Sequence, residues 1–253
     1  MLHLDCETLE SALHTGAAIL GMPPEELRDR ISSFDYDDVP LDDQQQHPYE
    51  DLVVLYALGY APEQLPTDHG CYWHHATRAM PGEQFIDGIL PLPLVIERIW
   101  QMLGELARDW SSADEWQSFR RNMRGQGAQQ YWGKFAFQRG GGPFAFLVRP
   151  VIHSGERLGN HDYLGIPEIV EDICMAYEEM VGHDLAARFV AATRPCIIRF
   201  RSSKPWPGAL QAALVFIHSA IGGSLSRHGN TCFDGKGEAV PSSDIVQINW
   251  LES

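Results

Sequence analysis

Short aromatic and β-branched runs stand scattered among longer stretches with helical spacing, and this arrangement constrains the fold more than any other feature. The runs are residues 71–77, 131–137, 144–148, 196–200 and 245–250. A regular strand–helix–strand alternation would build a parallel sheet. Here residues 131–137 and 144–148 are separated by little more than the glycine run Gly140-Gly141-Gly142 and Pro143, a pattern that predicts an antiparallel hairpin. The expected fold class is therefore α+β.

The first part of the chain reads as helical. Asp5 is placed to cap a helix through Leu9, Leu13, Ala17 and Leu20, spaced by three or four residues, with Gly21 at its end. Pro23-Pro24 open a second helix through Leu27 and Ile31. An acidic, glutamine-rich link at 35–46 reads as an exposed loop, and a third helix is expected over 49–60. Residues 61–70 form a Pro- and Gly-containing connector. These features divide the chain into a small helical N-terminal region, 1–66, and an α+β domain, 67–253. Within the latter, helices are expected over 92–110, from Ser111-Ser112 through Trp116 and Phe119, and over 167–180, 185–192 and 209–220. Residues 224–238 read as a polar loop.

Charge and cysteine usage narrow the functional classes. The formal net charge of -15 over 253 residues repels nucleic-acid phosphates, so bulk DNA or RNA is not the expected partner. A local basic cleft could still come from Arg120, Arg121 and Arg124, or from Arg199, Arg201 and Lys204. The five cysteines, Cys6, Cys71, Cys174, Cys196 and Cys232, are widely spaced with no C-x-x-C pair, which predicts reduced thiols rather than a disulfide framework. No run approaches a membrane span, and the first residues have no basic-then-apolar pattern. A cytoplasmic location and no membrane partner are the expectations.

The densest chemical pattern is Tyr72-Trp73-His74-His75-Ala76-Thr77-Arg78, followed by Phe85-Ile86-Asp87-Gly88-Ile89-Leu90. On a strand, His75 and Thr77 point to one side, with Trp73 beside them. An imidazole and a hydroxyl can hold ribose hydroxyls, and an aromatic neighbour can stack on a base. Tyr131 follows on the next aromatic run. Near the end, Gly237-Glu238-Ala239-Val240-Pro241 places an acidic residue and a Val-Pro turn before the closing strand.

In this order, the three islands resemble ADP-ribosyltransferases of the His-Tyr-Glu type, over roughly residues 71–250. The resemblance implies a split antiparallel sheet with helices and an enzyme that cleaves the nicotinamide–ribose bond of NAD. His75, Thr77 and Trp73 would bind the cofactor, Tyr131, with Tyr163 as second candidate, would stack on nicotinamide, and Glu238 would stabilise the oxocarbenium-like centre. The acceptor implied is a protein, less so a nucleic acid or water, and such enzymes often serve as toxins or effectors. The chain lacks the E-x-E or Q-x-E pair common before the last strand. An inactive, binding or immunity-type protein of the same fold is the second reading. A third comes from His161-Asp162 and His183-Asp184, which with His153 could supply a metal-dependent phosphohydrolase centre.

Overall fold

Thr8, rather than Asp5, starts the first helix. Its hydroxyl accepts from the Ser11 backbone N–H while the Ser11 hydroxyl accepts from the Thr8 N–H, a reciprocal cap. Asp5 is used elsewhere, as an ion-pair partner of Arg199. The structure, a computed structural model, describes residues 1–136 and 141–252. Its elements in chain order begin with β1 (His3–Leu4), α1 (Leu9–Leu20), α2 (Pro24–Ser32), α3 (Leu41–Gln46) and α4 (Tyr49–Val53), which runs on as a π-helical turn, Val54–Leu58. There follow β2 (Gly70–Ala79), α5 (Leu92–Leu106), α6 (Ala113–Asn122), α7 (Gln126–Ala136) and β3 (Phe144–Phe146). Next come α8 (Arg149–Ile152), α9 (Gly155–Leu158), α10 (Glu168–Val181), α11 (Leu185–Ala192) and β4 (Arg194–Ser202). The chain closes with α12 (Ala209–Ile221), β5 (Cys232–Asp234) and β6 (Ile245–Trp250).

The protein is α+β, with six strands in one sheet of order β5-β3-β2-β4-β6, and β1 added on β2. β1 pairs with β2 in parallel, His3 opposite Gly70, and β3 pairs with β2 antiparallel, His74 opposite Phe146. The hairpin expected between 131–137 and 144–148 does not form. Residues 131–136 belong to helix α7, Phe137 and Gly140 lie outside the described residues, and β3 pairs with β2 instead. The link at 35–46 also differs from expectation: it contains α3 and a 3-10 turn, Tyr36–Asp38. β5 lies inside the stretch expected to be a loop.

The chain divides into two compact units, each assembled from three segments. The first comprises Met1–His74, Ala145–Asn160 and Arg199–Phe233; the second comprises His75–Phe144, His161–Ile198 and Asp234–Ser253. β2 and β4 therefore each pass from one unit into the other along the chain.

In the first unit, α12 is buried nearly all round, from Ala209 through Ser219, and packs on α1, α2 and α4. A helix apolar on every face belongs in the interior. In the second unit an aromatic core holds Trp100, Trp116, Phe119, Tyr131, Tyr177 and Phe189. α7 packs tightly on α10 there, and the contact depends on Gly127. A Cβ at that position would lie 2.4 Å from the Asp172 carbonyl oxygen and 2.6 Å from the Ala176 nitrogen. Lys134 completes the contact with a 2.5 Å ion pair to the buried Asp172.

Candidate functional site

Aromatic and β-branched side chains make 70–79 a strand, as the pattern predicts. Simple alternation across it fails, because Trp73 and His74 are both fully buried. Trp73 packs among Trp206 and Phe233 of the first unit, with ring centroids at 5.4 and 5.5 Å. The expectation that Trp73 lines a ligand face is corrected: its ring is core. His74 places Nδ1 3.2 Å from the Leu147 carbonyl. Burial, with Arg199 and Arg149 adding to it, holds its pKa down at about 4.

His75 and Thr77 begin the part of β2 that belongs to the second unit, and both are half-buried. His75 Nδ1 lies 2.6 Å from the Phe144 carbonyl oxygen, and burial lowers the pKa of the ring. The Thr77 hydroxyl has only a long contact, 3.5 Å, to the Arg78 carbonyl. Both groups can therefore offer hydrogen bonds to a ligand.

Glu238 sits in a tight turn of the same unit. The turn is tied to the segment that holds His75: Gly235 N donates to the Pro143 carbonyl at 3.0 Å, and Gly237 N to the Gly142 carbonyl at 2.9 Å. Glu238 N in turn donates to the Gly235 carbonyl, and the Glu238 side chain is exposed. Two residues on, Val240 and Ile89 exchange hydrogen bonds of 2.9 and 3.0 Å in an isolated antiparallel bridge. Gly88 permits that bridge. Its φ is +80°, and a Cβ would lie 2.0 Å from the Val240 carbonyl oxygen. Backbone bonds thus join the Phe85–Leu90 island, the Glu238 island and the strand segment on which His75 is anchored.

Tyr131 does not join them. It lies on α7 rather than a strand, is 5% exposed, and its hydroxyl accepts from the Trp100 indole N–H at 3.0 Å. Trp100, Trp132 and Phe135 surround its ring, which leaves no open face for stacking.

Arg78, one residue beyond Thr77, was not singled out by sequence reasoning. Its guanidinium donates to the Thr193 hydroxyl at 3.0 Å and to the carbonyls of Leu164, Val190 and Thr193 at 2.8, 2.8 and 2.9 Å. It clamps the end of α11 and the loop before α10. The arrangement is structural, and no local sequence signal announces it.

The other candidate groups are accounted for locally. His161 Nε2 meets the Ile166 carbonyl, Asp162 caps its own turn, and His183 stacks on Trp110 at 4.7 Å. Among the described residues, no group of three or more His, Cys, Asp or Glu side chains is placed to hold a metal. Of the candidate basic residues, Arg120 pairs with Glu97, and Arg199 pairs with Asp5 and Glu7. Cys6, Cys71, Cys174 and Cys196 are buried, and burial pushes their thiols up, to about 12 for the last three. Such thiols are poor nucleophiles. Among the described residues no helix is long and apolar enough to cross a membrane. A scan against protein-family models and searches of curated proteins and of solved structures found no match to the chain.

Proposed function

We propose that the second unit carries an NAD-binding site of ADP-ribosyltransferase type, in which His75 and Thr77 hold a ribose and Glu238 stabilises the positive charge that develops as nicotinamide leaves. The observation that carries this reading is the backbone linkage of the Glu238 turn to 142–144, the segment whose Phe144 carbonyl anchors His75. Residues far apart in sequence, singled out by residue type and by the resemblance, are tied to one short segment. A carboxylate on an exposed turn can reach a bound ligand and screen an oxocarbenium-like centre. ADP-ribose would then pass to a protein acceptor, consistent with an acidic chain that repels nucleic acid.

One observation favours the second reading, a non-catalytic binding protein: Tyr131 is committed to the aromatic core and supplies no stacking ring. Incubation with adenylate-labelled NAD, alone and in lysate, separates the two. The catalytic reading expects nicotinamide release and labelled protein. It expects both to be lost in His75→Ala and Glu238→Gln while far-UV circular dichroism stays unchanged. NAD binding without release supports the binding protein, and full activity in both variants sinks the site.

A further inference from the structure

We propose that a cavity in the first unit binds an aliphatic polyamine, with the carboxylates of Glu50 and Asp51 as its charge partners. The cavity shares no residue with the NAD site proposed above, and the inference does not rest on that reading.

The cavity lies where the first turn of α4, the first turn of α12 and the segment before β5 meet, and its volume is about 290 Å³. That is the small end of the range for ligand pockets, the size of a metabolite rather than a dinucleotide. Its walls are tied to the rest of the unit. α12 packs on α4, Val148 N donates to Asn230 Oδ1 at 3.0 Å, and Leu147 N donates to the Thr231 carbonyl at 3.0 Å. Gly229 lets the segment lie close on α12, where a Cβ would come within 3.1 Å of the Phe216 backbone.

The lining is polar and its charge is one-sided. Glu50, Asp51, Gln211, His228, Asn230 and Thr231 face the space, and no Lys or Arg lines it. Glu50 Oε2 is buried and accepts no hydrogen bond; His228 Nδ1 lies 3.7 Å from it, too far to donate. Arg227 is turned to His228 Nε2, at 3.3 Å, rather than to either carboxylate. Asp51 Oδ1 receives a long bond, 3.4 Å, from Gln211 Nε2. Among the described residues neither carboxylate pairs with a Lys or Arg.

A buried carboxylate oxygen without a donor is costly, and native proteins supply one. The Glu50 side chain is 37% exposed and its carboxylate turns on a soft terminal torsion, so the unsatisfied oxygen can swing to a donor in the cavity. An ammonium group has three donors, no acceptor and a full positive charge, and its hydrogen bonds to a carboxylate are stronger than those of a neutral hydroxyl. Two carboxylates on one wall match more than one ammonium. The surroundings favour the same charge: no Lys or Arg occurs between Arg30 and Arg78, in a chain of formal net charge -15. A metal ion fits less well, because among the described residues no three His, Cys, Asp or Glu side chains are placed to hold one.

The test is calorimetric titration of the full chain at neutral pH with 1,4-diaminobutane, with spermidine and with the uncharged butane-1,4-diol. The expected result is saturable binding of one molecule of either amine per chain and none of the diol. Glu50→Gln and Asp51→Asn should each weaken spermidine binding by about tenfold or more, the loss of a charge-assisted hydrogen bond. Asp42→Asn removes an equal charge from an exposed position on α3 outside the cavity, and should change binding by about twofold or less. No saturable binding of either amine, which leaves water as the occupant, overturns the proposal. So does diol binding as tight as that of the diamine, or an equal loss in Asp42→Asn and Glu50→Gln, the mark of diffuse attraction to an acidic surface. Displacement of spermidine by an equimolar amount of calcium chloride overturns it in favour of a metal site.

Discussion

Arg78 offers the sharpest test of how the second unit is held together. In Arg78→Met the aliphatic stem survives and four hydrogen bonds are lost. Thr193, which receives two of them, is 2% exposed, so its freed oxygens stay away from water. Each such loss costs about 1–2 kcal/mol. The Val190 and Leu164 carbonyls are nearer solvent and can be rehydrated, at about 0.5 kcal/mol each. The sum over the four bonds is about 3–5 kcal/mol. Arg78→Lys keeps the charge but not the fork, so it should lose about half as much. Urea unfolding followed by the fluorescence of the seven tryptophans measures both variants. A midpoint for Arg78→Met within about 0.5 kcal/mol of wild type at unchanged slope refutes the clamp. If Arg78→Lys kept full stability yet lost nicotinamide release, Arg78 would be touching substrate.

Other perturbations test separate contacts. Gly127→Ala pushes a methyl group against backbone atoms of α10 that cannot yield locally, and should cost about 2–3 kcal/mol by the same unfolding measurement. Tyr131→Phe should lose about 1 kcal/mol with the Trp100 bond and leave nicotinamide release unchanged; a large drop in release would return Tyr131 to the site. Lys134→Met tests pH dependence. Burial raises the Asp172 pKa and Lys134 opposes that rise, so the folded state holds the Asp172 proton more tightly than the unfolded chain does. The stability this preference gives is present below the ordinary value of about 4 and is lost as pH rises through the folded pKa. Without Lys134 the folded pKa climbs further. Urea midpoints of variant and wild type should therefore be close near pH 4 and diverge toward pH 7, and a constant gap contradicts the account.

Elements whose hydrophobic spacing and end signals agree were legible in the sequence. Helix 185–192 and strand 245–250 match the reading residue for residue, and α12 and α10 match within a residue or two. Tyr131 marks where that logic breaks. Its run of aromatics reads as a strand, yet Gly127, Ala128 and Tyr131 are buried at helical spacing against α10, and Gly127 gives no hydrophobic signal of its own. β5 is three residues in a glycine-rich stretch, stabilised by a neighbour some 90 residues earlier in the chain. Of the residues proposed for the site, His75 and Thr77 share the period-two spacing of a strand that the structure contains, and Glu238, taken from the resemblance, lies on a turn. Trp73 and Tyr131 were misplaced because burial on a given face is decided by distant segments: Trp206 and Phe233 for one, Trp100 for the other.

The interleaving of the two units has a consequence for how the chain must be made. The first unit needs Asp5 and Arg199 together, although 194 positions separate them, and its last piece ends only at Phe233. A ribosome that has released residues 1–144 has delivered less than the whole of either unit. Neither half can be excised by one cut, and neither can complete its interior until its last segment, Arg199–Phe233 for one and Asp234–Ser253 for the other, has emerged. Loop closure over such separations is slow. A nascent chain here holds aromatic side chains of both interiors uncovered until those late segments arrive, the condition under which larger chains become prone to aggregate.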